Sequence, residues 1–231
     1  METNTHQFGS IARPQAAEPN RVLRNTYALL GLSMVPTAIG AAIGTTLLAP
    51  LMFSVGMGVS AIVFLIVAFG MMWAIQKNRD SGLGVVLLLG FTFFMGLWLG
   101  PLLSVALQFR NGGQLIAMAA GGTGAIFFTL AGIAATTKRD FSNMGKFLTV
   151  GIVLLIVASL ANLFFHIPAL SLAISGVAVL LFSGFILFDI NRIVHGGETS
   201  YVSATLAVYL DIYNLFTSLL QLLMAFAGDR D

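Results

Sequence analysis

FSVGMGVSAIVFLIVAFGMMWAIQ, residues 53–76, is a run of 24 residues without a single charge. An α-helix needs about 20 apolar residues to cross the hydrocarbon core of a bilayer, so this stretch predicts a transmembrane helix. The rest of the chain has the same character: 58% of its 231 residues are hydrophobic and 9% are charged. An ordinary soluble domain carries about 25% charged residues. The sequence therefore predicts a polytopic membrane protein in contact with the lipid bilayer.

Similar apolar runs recur along the chain, separated by charged breaks or by breaks containing Pro and Gly. The seven runs cover residues 26–49, 53–76, 84–108, 114–136, 146–165, 168–190 and 204–227. They predict an all-α bundle of seven transmembrane helices over residues 26–231, preceded by a flexible tail of residues 1–25. Ala49-Pro50 is predicted to end the first span. The seventh run has a second interpretation, a re-entrant segment, which would leave six crossings.

Lysine and arginine are distributed unequally between the two sides of the predicted bundle. Nine fall in the tail and the even-numbered connections, and two fall on the opposite side. Because cytoplasmic loops carry the excess of positive charge, the tail and the N-terminus are predicted to be cytoplasmic, and seven crossings place the C-terminus outside. The nine are Arg13, Arg21, Arg24, Lys77, Arg79, Lys138, Arg139, Lys146 and Arg192, and the two are Arg110 and Arg230.

Several classes of site are excluded by composition. The chain has no cysteine, which rules out disulfides, thiolate metal sites and thiol nucleophiles. The basic residues stand in short loops rather than in a stripe with interleaved aromatics, so nucleic acid is not an expected partner. His6, His166 and His195 form no pair at metal-ligand spacing. We expect no cofactor and no resident metal.

Two glycine pairs have the spacing of close helix packing. Gly40 and Gly44 in the first run, and Gly96 and Gly100 in the third, are each four residues apart. This spacing lets two membrane helices approach closely. Pro101, next to Gly100, is expected to bend the third helix and to free backbone carbonyls.

YLDIYNLF, residues 209–216, places Asp211 inside the last apolar run, and Asp189 lies inside the sixth. A charged aspartate at the bilayer centre costs about 2.5 to 3.5 kcal/mol, so such residues usually face the protein interior and serve a function. Each aspartate is eleven residues from Ser200, in the loop between the two runs. Equal distances in an antiparallel hairpin mean similar depth. The carboxyl groups are therefore expected to meet if both helices turn them inward.

Two adjacent carboxylates cannot both be ionised at low cost. Like charges about 4 Å apart repel by about 4 kcal/mol at an effective dielectric constant of 20. The pair is therefore predicted to share a proton and to act as a pH sensor. The protonated pair is compatible with a closed bundle, whereas the doubly ionised pair requires water or a cation. The alternative is that Asp189 pairs with Arg192, three positions on, and that only Asp211 is buried.

Polar residues on the seventh run are candidates to support the pair. Asn214 and Ser218 follow Asp211 at the three- and seven-residue spacing of one helix face. Tyr209 and Tyr213 flank Asp211. They are expected either to hydrogen-bond the pair or to anchor the helix at the membrane interface.

Catalysis is not expected from the two aspartates. An intramembrane aspartyl protease also needs two aspartates on neighbouring spans, with the second in a Gly-x-Gly-Asp context. Here Leu210 precedes Asp211. We therefore predict no catalytic residue and no enzyme activity.

Seven motifs together resemble the Bax inhibitor-1 family of membrane proteins. They are VLRNTY (22–27), LGPLL (99–103), IAMAAGGTGAIFF (116–128), IPALSLAISG (167–176), GFILFD (184–189), HGGETSY (195–201) and VYLDIYNLF (208–216). The resemblance implies a seven-helix fold with the last helix near its centre, and it carries the two-aspartate pH sensor of the family onto Asp189 and Asp211. Within the family, the sequence is most similar to bacterial modulators of the membrane protease FtsH. This implies the bacterial inner membrane as location and the FtsH complex as partner.

The sequence also departs from the family pattern. Family members that act as pH-sensitive calcium leaks carry an arginine in the second span, whereas residues 53–76 contain no charge. Calcium takes six to eight oxygen ligands, so any contact with Asp189 and Asp211 would be transient. The expected function is regulation of FtsH by binding. The alternative is a calcium or cation leak that is gated by protons at the aspartate pair.

Overall fold

The computed structural model describes residues 19–137, 139, 141 and 143–228. Within this part of the chain, the ordered elements are helices and no strand is present. The helices are α1 (Pro19–Ile43), a π-helical turn (Gly44–Leu48), α2 (Ala49–Val55), α3 (Met57–Lys77), α4 (Gly82–Ala106), α5 (Gly112–Thr136), α6 (Met144–Phe165), α7 (Pro168–Val194) and α8 (Tyr201–Gly228).

Seven helical segments are long and apolar enough to cross a membrane. The first combines α1, the π-helical turn and the start of α2 over Asn20–Met52, and the other six are α3 to α8. The predicted all-α polytopic fold is therefore confirmed. The last segment is one unbroken helix of 28 residues, about 42 Å long at 1.5 Å per residue. That length favours a full crossing over a re-entrant segment.

The first helix begins earlier than predicted. Residues 19–25, assigned to the tail, form the first turns of α1. Proline is well tolerated at the first position of a helix because its missing N–H has no intrahelical partner there. Val22 is 4% exposed and packs in the main core, which fixes this end of α1 against the bundle. The remainder of the predicted tail, residues 1–18, lies outside the described residues.

The first span also ends later than predicted. Pro50 does not end the helix, because it occupies the first turn of α2 directly after the π-helical turn. The break comes at Gly56, whose φ of 95° is a conformation that glycine adopts at little cost. The sequence signal at Ala49-Pro50 therefore marks a local change of helix type within the span.

Helix α8 lies at the centre of the bundle, as the family resemblance implied. It packs against α1, α3, α4, α5 and α7, and its core-facing side includes the fully buried Val202, Val208 and Leu215. By contrast, α6 packs against α7 and against no other described helix. The central helix and its hairpin partner α7 therefore supply many of the residues in the buried interior.

The two glycine pairs meet each other where α1 crosses α4. A Cβ added to Gly100 would overlap the backbone of Gly44, and one added to Gly40 would overlap the carbonyl oxygen of Phe93. The prediction of close helix approach is thus confirmed. Pro101 cannot donate a hydrogen bond to the carbonyl of Leu97 four residues earlier. That carbonyl packs directly against Gly44.

Candidate functional site

A cavity of about 820 Å³ is lined by α3, α4, α6, α7 and α8. Most of its wall is apolar, as expected for a pocket within a membrane bundle. Most of its polar lining comes from α7 and α8. The polar lining residues are Ser159, Ser175, Asp189, Asp211, Tyr213, Asn214, Thr217, Ser218 and Gln221.

The α7–α8 hairpin brings the two predicted aspartates together in this cavity. Asp189 lies one turn before the end of α7, and Asp211 lies in the third turn of α8. Asp211 is 6% exposed and Asp189 is half-buried. Both side chains line this cavity. Because an ionised carboxylate can only accept, a hydrogen bond between the two carboxyl groups would require a proton on one of them.

One oxygen of this pair lacks a partner. Oδ2 of Asp211 is buried and accepts no hydrogen bond from any described residue. A buried carboxylate is costly unless it is paired and hydrogen-bonded. The arrangement is therefore suited to hold a proton or to contact a hydrated cation.

The charges around the pair are few. Among the described residues, the lining of the cavity contains no Lys, Arg, His or Glu. Arg192 does not pair with Asp189: its guanidinium contacts Glu198 at 3.1 Å, and its Nε donates to the carbonyl of Gly197 at 3.2 Å. Arg192 and Glu198 thus act on Asp189 only from a distance. The structure does not show the local ion pair that was the alternative interpretation of Asp189.

Asn214 and Ser218 line the cavity on the same face of α8 as Asp211. Their side chains donate to the backbone of their own helix: Asn214 to the carbonyl of Leu210 and Ser218 to that of Asn214, both at 2.7 Å. The hydroxyl donor of Ser218 and one of the two N–H donors of Asn214 are therefore used within α8. Contact with the carboxyl pair itself is not among their hydrogen bonds.

The two tyrosines are engaged with α1 and α4 instead of the aspartates. The hydroxyl of Tyr209 lies 2.9 Å from Oγ1 of Thr37 and donates to the carbonyl of Thr92 at 3.3 Å. Tyr209 is 1% exposed, so it is not an interfacial anchor either. Tyr213 lines the cavity, and its hydroxyl donates to the carbonyl of Met95 at 3.2 Å.

Two polar residues of this region were missed by sequence reasoning. Gln221 accepts a hydrogen bond from Oγ of Ser175 on α7 at 3.0 Å. It follows Asp211 by ten residues, so extending the spacing of three and seven residues by one more turn would have found it. With Asp211, Asn214 and Ser218, it makes a polar stripe about 15 Å long on α8.

Asn191 is the second missed residue. It is 2% exposed, donates to the carbonyl of Arg139 at 3.1 Å and accepts from the N–H of Phe141 at 3.2 Å. It thereby holds the connection between α5 and α6 against the end of α7. In the sequence, nothing distinguishes Asn191 from the other residues of a polar loop.

Comparison with known proteins places the chain in a family. Residues 19–228 match the family model described as "Inhibitor of apoptosis-promoting Bax1". The modulator of FtsH protease YccA of Escherichia coli K12 is 41% identical over 211 residues, which cover 91% of this chain and 93% of that protein. An E. coli O6:H1 protein with the same identity and coverage is named inner membrane protein YccA. A membrane protein of Vibrio cholerae is 44% identical over 210 residues, covering 89% of this chain and 90% of that protein.

The matched region contains the whole described bundle, including the α7–α8 hairpin with both aspartates. The relatives are named for a modulator and for membrane location, and the family is not one of known enzymes. With seven helices that can cross a membrane, the chain is a multi-pass inner-membrane protein that belongs to the Bax inhibitor-1 family.

Proposed function

We propose that this protein binds the FtsH membrane protease and modulates its degradation of membrane proteins. The observation that carries the proposal is the 41% identity over 91% of the chain to a relative named modulator of FtsH protease. Regulation by binding needs a shaped, stable surface and no catalytic group. We therefore propose that the protein is not itself an enzyme.

The arrangement of the helices supports a binding surface whose shape can be regulated. Asp189 on α7 and Asp211 on the central helix α8 line one cavity, and α6 is attached to the bundle through α7 alone among the described helices. When the pair holds a proton, the hairpin can stay closed. When both carboxyl groups are ionised, their repulsion favours a more hydrated cavity. We propose that this change moves α6 and α7, and that protons adjust the modulation of FtsH in this way.

Co-purification tests the binding step. The full-length protein with a C-terminal tag is solubilised from native inner membranes in a mild detergent, alongside a tagged multi-pass protein from another family. We expect FtsH to be enriched with this protein and not with the control. Equal recovery of FtsH with both proteins would contradict the proposal.

A second candidate function is a pH-sensitive leak for calcium or another cation, gated by Asp189 and Asp211. It is favoured by the unpartnered oxygen of Asp211 and by the polar stripe that continues along α8 to Gln221. The second span counts against it, because α3 carries no arginine that could reach the pair and its one charged residue, Lys77, ends the helix. Two carboxylates supply too few ligands for tight calcium binding, so any calcium contact would be transient.

Liposome flux tests this second function independently of FtsH. Purified protein is reconstituted with a calcium indicator inside the vesicles, and influx is followed at pH 6 and pH 8. A leak gated by the pair predicts pH-dependent influx in the parent that Asp211→Asn loses. Influx equal to that of protein-free liposomes at both pH values would rule out the leak and leave the regulatory proposal intact.

A further inference from the structure

A second cavity, of about 880 Å³, lies between α1 and α5 on a different side of α8. The backbones of α1 and α5 do not approach each other, and the rings of Tyr27 and Phe127 meet edge to face across the gap at 6.2 Å. Ile212 and Phe216 of α8 are among the residues at its base. We refer to this cavity as the α1–α5 groove.

The walls of the α1–α5 groove are made largely of small residues. A Cβ added to Gly31, Gly124 or Gly132 would meet nothing within 4 Å, so these positions border open space. On α1 the lining extends from Tyr27 to Ala41, about 21 Å along the helix axis. One leaflet of the hydrocarbon core is about 15 Å thick. The groove is therefore long enough to take a lipid acyl chain along the membrane normal.

Basic residues stand at the end of the groove where α1 begins. Arg24 is exposed and precedes Tyr27 by three residues and Gly31 by seven, the spacing of one helix face. Arg21 lies one turn further out. At the same end, Arg139 is exposed and follows α5. Among the described residues, the ion pairs do not involve these three arginines.

The nearby sequence does not cancel this charge. Lys138 adjoins Arg139, while Glu18 and Asp140 are the acidic residues next to these segments. Four basic and two acidic residues give these two segments of the sequence a net charge of +2. An apolar groove that opens at a positive rim matches a ligand with an apolar chain and an anionic head.

We propose that the α1–α5 groove binds one anionic phospholipid, with an acyl chain between α1 and α5 and the headgroup phosphate on Arg24. Guanidinium groups bind phosphate through paired hydrogen bonds, and a zwitterionic lipid gains less from the arginines because its ammonium group offsets the phosphate charge. A transmembrane helix of a partner protein would use the small residues but leave the basic rim unpaired. The proposal does not depend on the role in FtsH regulation.

Native mass spectrometry of the full-length protein in detergent tests the charge at the rim. The protein is titrated with phosphatidylglycerol or phosphatidylcholine carrying identical acyl chains. We expect the parent to prefer phosphatidylglycerol, and Arg24→Gln to weaken that lipid about fivefold, the effect of one basic residue at an anionic surface. Binding of phosphatidylcholine should weaken less, because its ammonium group offsets the phosphate charge. Arg110→Gln, at the opposite end of the bundle, is the matched control and should behave like the parent.

Filling the groove tests the acyl site. Gly31→Leu and Gly124→Leu should weaken both lipids, because the added side chain occupies the open space. Gly70→Leu on α3 is the control: that position is equally open but lines neither cavity.

Equal affinity of the parent for both lipids would overturn the proposal, as would undiminished lipid binding in folded Gly31→Leu and Gly124→Leu. If the two leucine variants no longer co-purify with FtsH but still bind both lipids, the groove is a binding site for a partner helix instead. Arg24→Gln changes only an exposed side chain and keeps the test valid if the leucine variants do not fold.

Discussion

Replacing Gly100 by alanine is expected to lower the apparent Tm of the purified protein by about 6–12 °C. The added methyl group would overlap the backbone of Gly44, and neither backbone can move without disturbing its helix. Overpacking of this kind costs about 3 kcal/mol when backbone must shift. Thermal unfolding in detergent, followed by intrinsic fluorescence or circular dichroism, measures the change.

Gly31→Ala provides the control for helix propensity and composition. The same methyl group meets no atom within 4 Å at Gly31, and alanine favours the helix by up to about 1 kcal/mol over glycine. Gly31→Ala should therefore unfold at the same temperature as the parent or slightly above it. An unchanged Tm for Gly100→Ala would show that the crossing of α1 and α4 is not as close as the structure indicates.

Replacing Asp211 by asparagine is expected to raise the apparent Tm at pH 8 by about 4–8 °C, provided that calcium is chelated. The expectation corresponds to relief of about 2 kcal/mol, half of the full repulsion between two charges about 4 Å apart. Asparagine has the shape of aspartate and supplies an N–H donor, so it can donate a hydrogen bond to the carboxylate of Asp189. Thermal unfolding at pH 8 and pH 5 measures the effect.

The direction of the pH dependence follows from proton binding. For a folded pair that shares a proton, as proposed, one proton stays bound at pH values where both carboxyl groups of the unfolded chain, which ionise near pH 4, have lost theirs. The folded state therefore binds more protons above pH 4, and the free energy of unfolding of the parent falls as the pH rises. Near pH 5 the repulsion is small, and the apparent Tm of each variant should approach that of the parent.

Asp189→Asn separates a coupled pair from two independent residues. For a pair that shares a proton, Asp189→Asn should stabilise at pH 8 in the same direction as Asp211→Asn. The double variant should then gain less than the sum of the two. Additive effects, or a parent that is more stable than both variants at pH 8, would contradict a shared-proton site.

The membrane architecture was predictable because each span leaves an uninterrupted apolar run of the length that a bilayer requires. The boundaries were less accurate where backbone conformation rather than hydropathy decides them. In the sequence, Pro50 is typical of a helix end, but in the structure it lies in the first turn of α2. The helix breaks instead at Gly56, which has a positive φ. The glycine contact between α1 and α4 followed from four-residue spacing, although the sequence did not reveal which pairs would meet.

The aspartate site was reached from distances along the chain, since equal separation from Ser200 placed both carboxyl groups at one depth. Rotation about the helix axis was harder to judge. Tyr209 precedes Asp211 by two residues and points about 160° away from it at 100° per residue. Its hydroxyl consequently meets Thr37 and Thr92 rather than the carboxyl pair. Sequence proximity was misleading there, and helical phase is the better guide.

The α1–α5 groove left no signal in the sequence. Glycines that seal a helix crossing and glycines that border open space look alike within an apolar run. Gly44 touches a neighbouring backbone, whereas Gly31 meets nothing. Only the packing of α1 and α5 around α8 distinguishes the two environments.

Degradation by purified FtsH in proteoliposomes tests the proposed function most directly. A membrane-protein substrate is reconstituted with FtsH and ATP, with or without an equimolar amount of this protein, and the loss of substrate is followed over time. The account predicts slower degradation in its presence, and a pH dependence of that slowing which Asp211→Asn removes. Equal degradation rates with and without the protein, while it is present in the same vesicles as FtsH, would contradict the account.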